Sequence, residues 1–174
     1  MTKPNLTFSA LSKLCMVGAI AALSACAVFE QEQDTSVGTV RTFDMATADV
    51  NQVADALFTD GRVVIRGITF DTNSAELSGA AYASVTRIGE VMASNPALKL
   101  AVVGYTDNTG DFQSNLGLSE RRAESIVKAL RDDFDISSDR LAPVGAGELA
   151  AVADNNSDFG RSQNRRVELV VIND

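Results

Sequence analysis

Apolar positions recur every three or four residues in three stretches of the chain, and alternate or run together in four others. The first helical pattern follows Asp49, a residue type suited to an N-cap, with Val50, Val53, Ala54 and Leu57 on one side. The second steps through Leu77, Ala81, Val85, Ile88 and Met92. It predicts a helix from about Ser78 to Ser94, stopped by Asn95-Pro96. The third predicts a helix from roughly Asp111 to Arg131. Between them lie strand-like runs. Arg62–Phe70 is rich in β-branched residues and follows the turn signal Asp60-Gly61. Lys99–Tyr105 is short and apolar, as expected of a central strand. Arg140–Gly145 predicts a third strand, and Arg166–Ile172 a fourth with Val167, Leu169 and Val171 on one face. A loop is expected over 145–156 and a helical turn over 158–164. The order β-α-β-α-β-β predicts an α/β (α+β) fold, a two-layer sandwich on a mixed sheet.

The third helix carries two stripes. Phe112, Leu116, Ala123, Ile126, Val127 and Leu130 fall within about 100° of arc and form the expected core face. Asn115, Leu118 and Arg122 form a second stripe, roughly a quarter turn away, expected where the helix meets solvent at the sheet edge. Arg121 points away from the core and is expected to be solvated. Asp107 stands in the loop before this helix, at the end of the central strand. Such mouths, made of strand ends and helix starts, are common ligand sites. Both charged residues also have a plain structural reading. Asp107-Asn-Thr-Gly makes a good turn, and Arg122 a surface ion-pair partner worth about 0–1 kcal/mol. On the residues alone that reading is the commoner one.

Charge and composition narrow the field. The chain has 174 residues, 15 basic against 23 acidic. An acidic balance argues against nucleic acid as a partner, because such binders need a basic face. The chain has no histidine, and its two cysteines, Cys15 and Cys26, both lie near the N-terminus. The usual forms of His-based nucleophilic catalysis and of zinc sites are therefore not expected, and no cofactor or metal is called for. Scattered acids leave a glycosidase formally open but unsupported.

The N-terminal segment reads as an address. Lys3 and Lys13 precede an apolar run, Leu14–Leu23, too short to span a bilayer. The run ends in Leu23-Ser24-Ala25-Cys26. This resembles a bacterial lipobox, which implies cleavage after Ala25 and lipidation of Cys26. The alternative is an ordinary secretory signal in which Cys26 is incidental. Ala27, rather than aspartate, follows the cysteine, which by known sorting rules favours the outer membrane. Residues 27 to about 47 are polar and acidic, with Glu30, Glu32 and Asp34, and are expected to form a flexible tether. The expected division is 1–25 signal peptide, 26–58 lipidated Cys26 with tether and short lead-in helix, and 59–174 folded domain.

Three blocks resemble the OmpA-like peptidoglycan-binding domain, from about Gly61 to Val171. They are Ile68-Thr-Phe-Asp-Thr-Asn-Ser-Ala-Glu-Leu77; Gly104-Tyr-Thr-Asp-Asn-Thr-Gly110 with Asn115-Leu-Gly-Leu-Ser-Glu-Arg-Arg-Ala123; and Gly160-Arg-Ser-Gln-Asn-Arg-Arg-Val-Glu168. The resemblance implies that Asp107 and Arg122 bind the free end of diaminopimelate in the wall peptide, with Phe70, Asp71, Thr106, Asn115 and Leu118 lining the pocket. It implies a non-catalytic outer-membrane lipoprotein, lipid-anchored with its domain in the periplasm, that tethers the membrane to peptidoglycan. An envelope scaffold serving protein partners is the alternative. Tyr105 stands where many relatives have histidine. Arg161, Arg165 and Arg166 are expected to be mainly structural, with one of them able to border the site.

Overall fold

A computed structural model describes residues 40–173. The expectations for the signal segment, for Cys26 and for the tether up to residue 39 lie outside the described residues. The described residues form β1 (Arg41–Asp44), α1 (Val50–Asp60), β2 (Arg62–Arg66), α2 (Gly79–Ser94), β3 (Leu100–Tyr105), α3 (Phe112–Phe134), β4 (Leu141–Gly147), α4 (Asp158–Asn164) and β5 (Val167–Val171). The sheet order is β1-β2-β5-β3-β4. β1 runs parallel to β2 and β3 parallel to β4, while β5 lies between β2 and β3, antiparallel to both. The mixed sheet with helices packed on it is the two-layer fold that the alternation of patterns predicts.

Local chemistry explains where the helices begin. The Asp49 carboxylate accepts the backbone N–H groups of Asn51 and Gln52, as expected of an N-cap. Ser78 Oγ accepts the N–H of Ala81 at 3.2 Å and opens α2. Asp111 does the same for α3 through the N–H of Ser114 at 2.9 Å. Strand alternation then sorts the side chains. Val63 and Ile65 of β2, Leu100 and Val102 of β3, and Val167 and Leu169 of β5 are buried in one core with the inner faces of α1, α2 and α3.

Several boundaries differ from the sequence expectation. The tether was expected to reach about Thr47 and the folded part to begin near 59. Instead Arg41–Asp44 forms an edge strand, and Val53, Ala56 and Leu57 of α1 are fully buried. Burying each of the larger apolar side chains contributes about 1.5–3 kcal/mol, so β1 and α1 belong to the packed unit. β2 ends at Arg66 rather than Phe70, and residues 67–70 leave the sheet. β4 runs two residues further than expected and α3 three. Phe112, expected in the core, is 39% exposed. Its place in the first turn of α3 explains this. Residues 115 and 116 already sit over Gly147, the last residue of β4, so Phe112 lies one turn beyond the sheet.

One packing feature fixes α3 over the parallel pair. A Cβ at Gly104 would stand 2.5 Å from the Ser119 carbonyl oxygen, and one at Gly145 would stand 2.7 Å from the Glu120 backbone nitrogen. The absence of side chains there lets the helix backbone touch the strands. Ser119, fully buried, completes the seam: its Oγ accepts the Gly147 N–H at 2.9 Å and donates to the Leu116 carbonyl at 2.7 Å.

Candidate functional site

The end of β3 is stapled on both sides before the chain turns. The Tyr105 N–H donates to the Arg166 carbonyl at 2.9 Å, and the Thr106 N–H to the Gly147 carbonyl at 2.8 Å. Asp107 then folds its side chain back over the turn. Oδ1 accepts the Thr109 N–H at 2.9 Å, and Oδ2 accepts Nη1 of Arg165 at 2.6 Å. Gly110 takes φ = 101°, a conformation L side chains rarely adopt, and delivers the chain to the Asp111 cap. Asn115 braces the turn from α3. Its amide donates to the carbonyls of Asp107 and Thr109 and to Glu148 Oε2.

Arg122 is 9% exposed, not set in solvent at the sheet edge. The loop after β2 folds over it. Nε donates to the Ser74 carbonyl at 2.9 Å and Nη2 to the Asp71 carbonyl at 3.2 Å. The guanidinium lies 5.0 Å from the centre of the Phe70 ring, an attractive cation–π geometry. No carboxylate among the described residues pairs with it. Burial lowers its pKa, the nearby Arg165 lowers it further, and Asp107 pulls the other way. Arg122 and Asp107 therefore feel each other's field without touching. Burial alone would raise the Asp107 pKa, but the bonds from Arg165 and Thr109 outweigh it and hold the carboxyl below its ordinary value.

A cleft of about 180 Å³ opens at this place, between Ile68–Phe70 on one side and Ser162 and Arg165–Val167 on the other, with Tyr105 and Arg122 in its walls. Of the residues expected from the sequence, Phe70 and Arg122 line it directly. Asp107 is joined to it through Arg165. Thr106 is buried beside Tyr105, and its Oγ1 has no hydrogen-bond partner. Asp71 offers its backbone carbonyl to Arg122, while its side chain points outward. Asn115 is turned to the loop, and Leu118 is half-buried on α3; neither lines the cleft.

Three arginines from the last block occupy distinct places. Arg161 bonds the Asn155 carbonyl and pairs with Asp158. Arg165 reaches Asp107. Arg166, 8% exposed, donates to Glu168 Oε1 at 2.8 Å and to the Ala150 carbonyl at 3.1 Å. Its guanidinium stacks 3.7 Å from the centre of the Tyr105 ring. Asn164 ties the end of α4 to the loop at residues 152–155. Fully buried, it accepts the N–H groups of Val152 and Ala153 and donates to the Ala153 carbonyl and Asn155 Oδ1. Alternation along β5, which puts Arg166 and Glu168 on one face, was the available signal for that ion pair.

A family model described as the OmpA family matches residues 69–165, more than half of the chain. The probable lipoprotein YiaD of Escherichia coli (strain K12) is 36% identical over 104 residues, 60% of this chain and 47% of that protein. The chain thus aligns with about half the length of that relative. A crystal structure of the peptidoglycan-associated lipoprotein from Burkholderia pseudomallei superposes with a TM-score of 0.55 at 27% identity, covering 60% of this chain and 88% of the other. The cell wall anchor of the T6SS from Pseudomonas aeruginosa superposes with a TM-score of 0.57 at 25% identity, covering 72% and 96%. The three sequence blocks, the mixed sheet and these matches agree: the chain belongs to the OmpA family.

Proposed function

We propose that this protein is a non-catalytic envelope protein that binds peptidoglycan through the free end of diaminopimelate in the wall peptide. One observation carries the reading. Arg122 is a buried cation whose hydrogen bonds all go to carbonyls, and the Asp107 carboxylate, at the end of β3, is close enough to act on its charge. The free end of diaminopimelate bears one ammonium and one carboxylate. Asp107 takes the ammonium, and Arg122 forks onto the carboxylate. Arg165, whose side chain is 48% exposed, gives way at Asp107 Oδ2 when the ammonium arrives. Relatives named as peptidoglycan-associated and as a cell wall anchor support peptidoglycan as the partner.

Charge-assisted hydrogen bonds contribute about 1.5–3 kcal/mol each, and association costs several kcal/mol in lost freedom. A single grip is therefore weak, and a polymeric wall next to an anchored protein compensates by effective concentration. The anchor in this reading is a lipid on Cys26 in the outer membrane, with the domain in the periplasm. Each buried methylene of such a lipid contributes about 0.8 kcal/mol.

The test is co-sedimentation of the full chain, in detergent, with purified peptidoglycan. Asp107→Ala and Arg122→Ala should each abolish most of the retention. Unchanged retention in both would sink the site, and release of soluble wall fragments would point to a hydrolase instead. Cells fed a fatty-acid analogue should label the wild type and not Cys26→Ala; label on that variant would refute the anchor.

A further inference from the structure

We propose that the cleft continues into a second carboxylate subsite centred on Arg66, which takes the acidic residue joined to diaminopimelate in the wall peptide. The proposal rests on the wall-binding reading above. A second hollow, of about 350 Å³, adjoins the first. The two share Ile68, Thr69, Ser162, Arg165 and Arg166 as walls, which in this proposal makes them one channel between segment 66–70 and α4. Arg66 stands on the wall of the second hollow and is absent from the first.

Charge along the channel is uneven. In the middle, Asp107 neutralises Arg165 and Glu168 neutralises Arg166. At the two ends the arginines are held by neutral oxygens. Arg122 bonds two carbonyls, and Arg66 donates Nη2 to Gln163 Oε1 at 2.9 Å. No carboxylate among the described residues pairs with either. The Gln163 bond ties one Arg66 nitrogen to α4 on the wall of the second hollow. Arg166, in the shared wall, keeps a buried donor, Nη1, without a partner.

Arg122 stacks on Phe70, and the Cα atoms of Phe70 and Arg66, four residues apart, lie at most about 14 Å from each other, a reach that a wall peptide can span. In the wall peptide, diaminopimelate is joined through its other end to a γ-linked glutamate with a free α-carboxylate. About eleven bonds separate the two carboxyl carbons, roughly 13 Å when extended. The free end of diaminopimelate occupies Asp107 and Arg122, and the glutamyl carboxylate reaches Arg66. An exposed guanidinium–carboxylate contact of this kind raises affinity about five-fold.

The experiment compares three ligands by NMR titration of the full chain in detergent: free meso-diaminopimelate, the tripeptide L-Ala-γ-D-Glu-meso-diaminopimelate, and the same tripeptide with the glutamyl α-carboxylate amidated. The wild type should bind the acidic tripeptide about five-fold more tightly than the other two. Arg66→Gln, checked for folding by thermal melting, should lose that advantage and keep its affinity for diaminopimelate. Equal binding of all three ligands by the wild type would overturn the subsite and leave the Asp107–Arg122 reading standing. So would an advantage that survives in Arg66→Gln. No binding of any ligand by the wild type would overturn both.

Discussion

Two arginines in this domain are buried to the same degree, Arg122 at 9% and Arg166 at 8% exposure, and both lie in the wall of one cleft. Both stack on an aromatic ring, Phe70 for one and Tyr105 for the other. They differ in what balances their charge. Arg166, just before β5, has a buried carboxylate, Glu168, two residues further along the chain. Arg122 has only the carbonyls of a loop. A buried charge without a counterion is costly, and folds rarely keep one without a use. The comparison teaches that burial alone does not mark a binding residue. In the proposed reading the unbalanced cation, Arg122, is the one that takes an anion from outside.

The sharpest way to break this contrast is to remove Arg166. Arg166→Ala leaves Glu168 buried and unpaired, and should cost about 3–5 kcal/mol of stability in chemical denaturation. Replacing both partners together, Arg166→Met with Glu168→Leu, should recover most of the loss. A stable Arg166→Ala protein with wild-type unfolding would reverse the roles assigned to the two arginines.

Removing Arg122 should act mainly on the ligand. Arg122→Ala is expected to lower peptidoglycan retention about ten- to a hundred-fold, from the loss of one charge-assisted contact. Its loss of stability should be smaller than that of Arg166→Ala, because no buried carboxylate is orphaned. Equal destabilisation by the two variants would erase the distinction.

The smallest effects lie at the ion pair between Arg165 and Asp107, which joins the two regions. The folded pKa of Asp107 lies below the ordinary 3.8. Its ionised form therefore contributes stability that is complete above the unfolded value and is lost as pH falls through the lower folded value. NMR titration of the Asp107 carboxyl carbon should place its midpoint below 3.8 in the wild type. In Arg165→Ala the midpoint should move up, while stability near neutral pH changes by less than about 1 kcal/mol, since that ion pair is half exposed. A midpoint that ignores Arg165 would remove the link between the two regions.

Much of this was legible in the chain, for identifiable reasons. The interiors of α2 and α3 and the core strands announce themselves by period, because one face of each is buried. Asp107 and Arg122 stand in motifs with a fixed order. β1 was not legible: Arg41–Asp44 is short and half polar, and its strand character comes from pairing with β2. The bond from Arg165 to Asp107 joins residues 58 apart, which no local pattern encodes. Nor did helical geometry show that residues 71–74 would close over Arg122, because that loop lies far away in sequence and makes the burial from outside the helix.

The direction of β1 has a mechanical consequence. β1, β2 and β3 run the same way, so Arg41 enters at one end of the sheet while Tyr105 and Asp107 leave at the other. Force applied to the chain ahead of Arg41, against a ligand held at the proposed Asp107–Arg122 site, runs lengthwise along β1. The four-residue β1–β2 ladder then carries the load in shear, its hydrogen bonds strained together rather than opened one after another.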